Sequence, residues 1–208
     1  VENVDFDLPA GQVRALIGPN GAGKTTFVGM LSGRIPASNG QVMFEGRNIT
    51  AEPAHRRIRA GMAYTFQITS VFGRLPVTEN VALAMRWRTG GDEAETKRRV
   101  AESLDRVGIA DRADQLAGDL SYGHQRLLEI AMGLSQDPRL LILDEPTQGL
   151  ADSEIAHFIA LIRSLAGELT ILLIEHNIHV VMQTPAAITV LNSSQLLAQG
   201  PPDEPRAN

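Results

Sequence analysis

The sequence Gly-Pro-Asn-Gly-Ala-Gly-Lys-Thr, at residues 18–25, constrains this chain more than any other feature. It matches the pattern G-x-x-x-x-G-K-[ST] at every fixed position, and this pattern is typical of loops that hold phosphate groups. Its glycines let the backbone wrap closely around phosphate oxygens, and the following helix directs its positive N-terminal end at the same anion. A chance match is expected in about 1 in 100 chains of this length. The motif therefore predicts a nucleotide-binding site.

The flanking residues have the pattern that a phosphate loop requires. Residues 12–17 are mostly apolar and predict a buried strand, whereas residues 23–31 predict a helix. Lys24 is one of two lysines among 19 basic residues, which argues against an incidental surface lysine. We expect Lys24 to reach the β- and γ-phosphates and the Thr25 hydroxyl to bind Mg²⁺. The predicted nucleotide contacts are Gly18, Pro19, Asn20, Gly21, Ala22, Gly23, Lys24, Thr25 and Thr26.

A second motif places two acids directly after a buried strand. The apolar run 140–143 leads into Asp144 and Glu145. Carboxylates beside a core are paired or metal-bound, and ligands of open parallel sheets lie at the carboxyl ends of strands. We therefore expect Asp144 to hold Mg²⁺ and Glu145 to polarise an attacking water. The alternative is an ordinary strand end that enters a polar turn at Pro146.

Strand and helix patterns alternate along most of the chain, which predicts an α/β fold with a mainly parallel sheet. Residues 68–120 have almost no strand signal and predict a helical insertion. The predicted strands are 12–17, 41–44, 62–66, 140–143, 169–174 and 186–191, and the predicted helices include 23–31, 121–135 and 152–165.

Length, charge and composition exclude several classes of protein. We expect residues 1–208 to form one domain that carries the insertion. The net charge of −5 disfavours nucleic-acid binding, and the absence of cysteine excludes disulfides and thiolate metal sites and favours a reducing cytosol. The longest apolar runs are too short to span a bilayer, and no leader pattern is present. Because the chain begins with Val1, we expect its natural start to be trimmed.

These motifs and four further ones resemble the ATP-binding subunits of ABC transporters. Residues 18–25 and 140–145 resemble the Walker A and Walker B motifs of that family, the latter followed by its catalytic glutamate. Residues 120–125, Leu-Ser-Tyr-Gly-His-Gln, resemble the signature sequence LSGGQ. In family order, Gln67 matches the Q-loop glutamine, Asp152 the D-loop acid and His176 the switch histidine.

The resemblance implies a P-loop NTPase fold with an N-terminal β region and an inserted helical subdomain at about 68–120. It implies a head-to-tail dimer, in which Walker A of one subunit and Ser121 and Gly123 of the other enclose the same ATP. Asp152, as the D-loop acid, would be a further nucleotide-binding residue. Thr25, Gln67 and Asp144 would hold Mg²⁺. The implied catalytic residues are Glu145 as general base, with His176 and Gln67.

The chain also departs from the family pattern. Tyr122 replaces the first glycine of LSGGQ, and His124 replaces its glutamine. We expect Tyr122 to keep ordinary helix-start geometry, because tyrosine disfavours positive φ. The adenine-stacking aromatic would precede residue 1, and Phe6 is too late to replace it. Individually, Gln67 and His176 also fit ordinary loop residues, and Ser121 and Asp152 fit helix caps.

Residues 120–132, 144–150 and 174–177 resemble the hydrophobic, or branched-chain, amino acid uptake subfamily. This implies peripheral binding at the cytoplasmic face of the inner membrane, with permease subunits, a second identical or different cassette and, indirectly, a solute-binding protein as partners. No nucleic-acid partner is expected. The alternatives are an ATPase of a lipopolysaccharide-type exporter, a soluble ABC ATPase, a P-loop kinase of small molecules and a degenerate regulatory cassette.

The phosphate loop gives a direct prediction. Lys24→Ala is expected to lose most of the affinity for ATP, because the ammonium group that meets the phosphates is removed. Equilibrium binding of a fluorescent ATP analogue measures the loss. Lys97→Ala, which removes the other lysine, is the matched control. Wild-type affinity in Lys24→Ala would contradict the assignment of the loop.

Overall fold

The computed structural model describes residues 1–65 and 69–201, and its centre is a six-stranded sheet. The strands lie in the order β4-β5-β6-β1-β7-β8. The first five are parallel, and β8 pairs antiparallel with β7. A separate antiparallel ladder joins β2 and β3. The strands are β1 (Val13–Ile17), β2 (Met43–Phe44), β3 (Arg47–Asn48), β4 (Met62–Thr65), β5 (Leu140–Asp144), β6 (Thr170–Ile174), β7 (Ala187–Asn192) and β8 (Gln195–Gly200).

The apolar runs form central strands because both faces of the sheet are covered. In β5, Leu141 and Leu143 pack into one hydrophobic cluster, whereas Leu140 and Ile142 pack into another on the opposite face. The same alternation divides β6. Every residue of both strands is buried. Parallel sheets covered on both faces read as continuous hydrophobic runs, as these strands do.

Seven helices in the described residues surround the sheet. The helix that follows the phosphate loop packs on one face, and the largest cluster, which includes residues of five later helices, covers the other. The helices are α1 (Lys24–Leu31), α2 (Ala54–Arg59), α3 (Val77–Thr89), α4 (Glu93–Val107), α5 (Tyr122–Ser135), α6 (Asp152–Leu165) and α7 (Ile178–Gln183).

The region between β4 and β5 is helical, as its sequence predicts. In the described part of this region, which begins at residue 69, α3, α4 and α5 pack on one another and no strand is found. α3 contributes Val81 and Met85 to their shared core, and α4 contributes Val100 and Leu104. α5 also contacts β4 and so joins this core to the sheet. The boundaries of a subdomain at 68–120 stay a prediction.

Three short elements escape the sequence patterns. α2 and α7 have only six residues each, too few for a helical period to emerge. The hairpin between β7 and β8 turns through Ser193 and Ser194, both with positive φ. Asn-Gly or Asp-Gly is the usual signal for such a turn, so the sequence Ser193-Ser194 does not predict this hairpin.

Two expectations need correction. The strand expected at 41–44 is limited to Met43–Phe44, because Val42 and Ile49 instead pair outside the ladder. Asp152 does not cap α6, because it is the first residue of that helix and Ala151 is the N-cap. The backbone N–H of Ala151 donates to Glu154 Oε2 at 2.9 Å. Glu154 therefore ties down the start of α6.

No helix within the described ranges 1–65 and 69–201 is long and apolar enough to cross a bilayer.

The contribution of the buried strands to stability can be measured. Leu172→Ala, in the centre of β6, is expected to lower the free energy of unfolding by about 2–5 kcal/mol, because a fully buried side chain leaves a cavity. Leu197→Ala, at an exposed position of β8, is the control and should change it by less than about 1 kcal/mol. Equal losses in urea titrations would contradict the buried-sheet account.

Candidate functional site

The carboxyl ends of three adjacent strands meet at one edge of the sheet. Ile174, the last residue of β6, pairs with Asp144 of β5 on one side and with Leu16 of β1 on the other. The chain segments that leave these strands therefore start side by side. They carry the phosphate loop, Glu145 and His176. Gly18 and Asp144 therefore lie at the same edge of the sheet, at the carboxyl ends of β1 and β5.

Close approach of backbones explains the first glycine of the phosphate loop. A Cβ atom at Gly18 would lie 2.1 Å from the carbonyl oxygen of Leu191 in β7, so no side chain fits there. Gly23, the N-cap of α1, has φ of +95°. That conformation is costly for residues with a Cβ atom. The loop geometry thus depends on glycine at both positions.

Lys24 folds back over the loop that precedes it. Its Nζ donates to the carbonyl oxygens of Gly18 at 2.6 Å and Pro19 at 3.1 Å. No acidic residue lies in the first turn of α1, and Thr25 and Thr26 are exposed there. A buried ammonium group, a positive helix terminus and exposed hydroxyls together suit a phosphate chain.

Asp144 is a buried carboxylate held by a tyrosine. Tyr64 Oη, on the neighbouring strand β4, donates to Asp144 Oδ2 at 2.6 Å. Burial, followed by the bond to Asp144, raises the pKa of Tyr64 well above its ordinary value, so the hydroxyl remains a donor. The guanidinium of Arg34 lies 4.1 Å from the centre of the Tyr64 ring. Tyr64 is not recognisable as a site residue from the sequence, because a single tyrosine within a strand matches no motif.

The chain turns sharply at Glu145, directly after β5. Its φ is +47°, which turns its side chain away from the direction of Asp144. Such a conformation costs a non-glycine residue about 1–2 kcal/mol. Its Oε1 lies 3.9 Å from Nδ1 of His176, which stands on the loop after β6. The structure therefore brings together the two residues that the sequence assigns to water activation and γ-phosphate sensing.

Glu175 is a functional candidate that the sequence analysis missed. It follows β6 directly and is fully buried, with its carboxylate bonded to Thr147 and to the backbone of His176 and Asn177. An acid after a buried apolar run is the signal that identified Asp144. The same signal was present at Glu175, beside the more conspicuous His176.

Ser121 and Gly123 stand at the start of α5. Ser121 is the N-cap, and its Oγ lies 2.6 Å from Nδ1 of His124 and accepts the His124 N–H at 3.3 Å. A Cβ atom at Gly123 would lie 2.1 Å from Glu154 Oε1, so a side chain at this position would displace the Glu154 carboxylate. In the described part of the chain, no hydrogen bond links the start of α5 to residues 18–25.

Tyr122, in the signature segment, contacts Gly149, which lies in the D-loop segment before α6. Tyr122 has helical geometry, as expected, and its ring lies against Gly149, where a Cβ atom would be 3.3 Å from Cε1 of the ring. Gly149 has φ of +79°. The glycine of the D-loop thus leaves room for the tyrosine of the signature segment. Asp152, three residues later, is exposed at the start of α6.

A buried ion pair connects α5 to the segment after β4. Arg126 Nη1 and Glu129 Oε2 lie 2.8 Å apart, and Glu129 Oε1 accepts the backbone N–H of Ser70 at 2.6 Å. Burial raises the pKa of Glu129, and the bonds from Ser70 and Arg126 oppose that rise. Gln67, the predicted Q-loop residue, lies outside the described residues.

Phe6 is engaged inside the protein. Its ring packs edge-on against Phe27 of α1, with centroids 5.2 Å apart, and the Arg14 guanidinium lies 5.4 Å from its centre. Phe6, near the start of the chain, thus packs against α1.

Thr25 and Asp144 fit a magnesium ion that is shared with a nucleotide. Tyr64 occupies Oδ2 of Asp144, and among the described residues no hydrogen bond reaches Oδ1. Nowhere in residues 1–65 and 69–201 do three His, Asp or Glu side chains form a cluster that could hold a metal without other ligands. Mg²⁺ keeps few protein ligands and takes phosphate oxygens and waters for the rest. One hydroxyl and one carboxylate match that preference.

Comparison with known proteins supplies the family. A family model described as "ABC transporter" matches residues 1–148. The high-affinity branched-chain amino acid transport ATP-binding protein BraF of Pseudomonas aeruginosa is 35% identical over 224 residues, which include 100% of this chain and 88% of that protein. The methionine import ATP-binding protein MetN 1 of Rhodococcus jostii is 36% identical over 205 residues, covering 97% of this chain and 60% of that protein.

A solved structure supports the same fold. The crystal structure of the ADP conformation of an ATP-binding cassette of an ABC transporter superposes with a TM-score of 0.84 at 26% identity. The superposition covers 97% of this chain and 84% of the other.

The bond between Tyr64 and Asp144 generates a prediction. Tyr64→Phe is expected to raise the Mg²⁺ concentration for half-maximal ATPase activity about 10-fold or more, because the donor that orients the Asp144 carboxylate is lost. A Mg²⁺ titration at saturating ATP measures it. Thr189→Val deletes a buried hydroxyl that has no partner within the described ranges, and serves as control. An unchanged Mg²⁺ requirement in Tyr64→Phe would contradict this role.

Proposed function

Because this chain belongs to the ABC transporter family and is an ATP-hydrolysing cassette, we propose that it binds ATP with Mg²⁺ and drives the import of branched-chain amino acids. The observation that carries the catalytic part is the convergence of the phosphate loop, Asp144, Glu145 and His176 at the ends of adjacent parallel strands. In open α/β sheets, this edge is where ligands bind.

The phosphate loop and Lys24 bind the phosphate chain. Lys24 Nζ already lies over the loop carbonyls at 2.6 and 3.1 Å, so a short movement of its flexible side chain delivers the charge to the β- and γ-phosphates. The N–H groups at the start of α1 add donors that point the same way. Thr25 and Asp144 would hold Mg²⁺, with Gln67 as a further predicted ligand.

Glu145 acts as the general base for hydrolysis. Its side chain is largely enclosed, and it faces His176 across 3.9 Å. Glu145 orients the attacking water and accepts its proton, while His176 orients the γ-phosphate and the water, assisted by Gln67. When bound, Mg²⁺ would neutralise charge that develops on the phosphate oxygens.

A second cassette completes the site. In the described residues, no hydrogen bond links the start of α5 to the phosphate loop of its own chain, and this start offers Ser121, Gly123 and a helix N-terminus. We assign these groups to the ATP held by the partner cassette, in a head-to-tail dimer. Exposed Asp152 lies at the same interface. The partner is either a second copy of this chain or a related cassette.

Permease subunits form the other partner, on the cytoplasmic side of the inner membrane. The helical region carries large apolar side chains at its surface, where Phe72 is 56% and Trp87 is 41% exposed. Val77 is fully buried and belongs to the core instead. A surface with exposed aromatics beside the segment after β4 suits an apolar helix of a membrane subunit. A solute-binding protein would reach the cassette only through that permease.

The choice of solute rests on the relatives. BraF is named for branched-chain amino acid transport, whereas MetN 1, at a similar identity, is named for methionine import. The relative that aligns over the whole chain and most of its own length is the branched-chain transporter subunit, and this favours leucine, isoleucine and valine.

Replacing the proposed base gives a strong prediction. Glu145→Gln is expected to lower the rate of ATP hydrolysis about 10²- to 10⁴-fold, because the amide cannot accept the proton of the water. ATP affinity should persist, and ATP should trap a dimer that light scattering detects. Glu168→Gln, an exposed acid beyond α6, is the control and should hydrolyse ATP normally. Unchanged turnover in Glu145→Gln would remove Glu145 from the role of base.

Solute uptake tests the transport assignment. In cells that lack the chromosomal gene, the wild-type chain is expected to restore uptake of labelled leucine, and the Glu145→Gln variant is not. Labelled methionine and galactose should enter equally with and without the gene. Restoration of methionine uptake alone would overturn the proposed solute. Defective export of a lipid, with normal leucine uptake, would favour the exporter alternative.

A further inference from the structure

Glu175 combines complete burial with a negative charge, directly beside the proposed catalytic loop. Its relative exposure is 0%, and no lysine or arginine in the described residues pairs with it. A buried carboxylate is costly unless hydrogen bonds compensate its charge. Here the compensation comes from four donors, which bind the two carboxylate oxygens in pairs.

The two oxygens bind two different loops. Oε1 accepts the backbone N–H of Thr147 at 3.0 Å and its hydroxyl at 2.5 Å. Oε2 accepts the backbone N–H groups of His176 at 3.0 Å and Asn177 at 3.1 Å. Thr147 lies two residues after Glu145, so the Glu175 carboxylate joins the Glu145 turn to the His176 loop.

The backbone of Glu175 adds a third connection. Its N–H donates to the carbonyl oxygen of Leu16 at 3.3 Å, two residues before Gly18. Asn177, on the other side of His176, caps α7 by accepting the N–H of His179 at 3.0 Å. The backbone around His176 is thereby held by hydrogen bonds of Glu175 on one side and of Asn177 on the other.

The imidazole of His176 needs this support. Its side chain is 58% exposed, and among the described residues its charged partner is Glu145 at 3.9 Å. An exposed side chain on a short loop takes its position from the backbone that carries it. Displacement of a reacting group by about 1 Å can cost 10²-fold in rate.

From these contacts we propose that Glu175 is a positioning residue, which sets His176 against Glu145 by clamping their two loops together. The inference rests on the proposed function, because it assigns Glu175 to the hydrolysis that Glu145 and His176 perform. Glu175 is fully buried, and its carboxylate acts through the loops of His176 and Thr147. A carboxylate suits the task because all four partners are donors, and a carboxylate accepts at both oxygens without offering a donor.

The isosteric variant Glu175→Gln tests the clamp. Its amide nitrogen would face N–H groups at one of the two loops, so one half of the clamp is replaced by a repulsive contact. We expect kcat for ATP hydrolysis to fall about 10- to 100-fold, while KM for ATP changes less than about 3-fold. Glu168→Gln, the same substitution at an exposed position, is the matched control and should keep both parameters.

Coupling to His176 separates positioning from a general loss of structure. Glu175→Gln and His176→Ala are expected to be strongly non-additive, so that the double variant is about as slow as the slower single variant. A merely structural defect would multiply with the loss of His176. Multiplied effects, or equal proportional changes in kcat and KM, would overturn the proposal.

A second variant decides the matter if Glu175→Gln fails to fold. Thr147→Val removes one donor of the clamp but keeps its backbone N–H, whereas Thr147→Ser keeps both. We expect Thr147→Val to lower kcat more than Thr147→Ser and to be non-additive with His176→Ala. Equal rates in the two Thr147 variants, or additivity, would overturn the clamp.

The outcomes also separate the clamp from the proposed function. If the wild-type chain hydrolysed no ATP, the proposed function itself would fail. If Glu175→Gln were active and Glu145→Gln inactive, the clamp alone would be refuted.

Discussion

The parallel register of β6 with its two neighbours fixes where the reacting groups of this protein stand. Because Ile174 pairs with both Asp144 and Leu16, the three strands end level with one another. Each chain segment then leaves the sheet into the same space, in the direction where ligands of α/β sheets bind. The helices that cover both faces keep this register, since a shift of a strand by one residue would exchange the side chains that pack into the two hydrophobic clusters on opposite faces.

Two carboxylates at this edge are buried, and the protein stabilises them differently. Asp144 accepts a tyrosine hydroxyl at one oxygen, and among the described residues no hydrogen bond reaches the other. Glu175 has both oxygens saturated by donors of two loops. The first arrangement suits a metal ligand, and the second suits a fixed support. Glu145, between them in the sequence, is less buried and is directed elsewhere by its positive φ, which leaves it suited to act on water.

The recognised motifs could be read from the sequence because each one is a local stretch of residues. The phosphate loop, the pair Asp144–Glu145 and His176 lie at or directly after the ends of adjacent strands. Tyr64 and Glu175 were missed for a physical reason. Tyr64 acts on a residue 80 positions away, and Glu175 on Thr147 28 positions away, so their roles depend on strand neighbours that no local pattern reveals. The signature segment shows the same limit, since the contact of Tyr122 with Gly149 joins residues that are 27 positions apart in the sequence.

The sequence by itself determined the α/β alternation, the helical character between β4 and β5, and the loop that wraps phosphate, because hydrophobic period and glycine placement act over a few residues. Only the tertiary structure decided the strand order, the positions of α7 and β8, and the partners of Asp144 and Glu175. Those features arise when strands distant in sequence pair side by side, so that donors and carboxylates from separate segments meet in a space from which water is excluded.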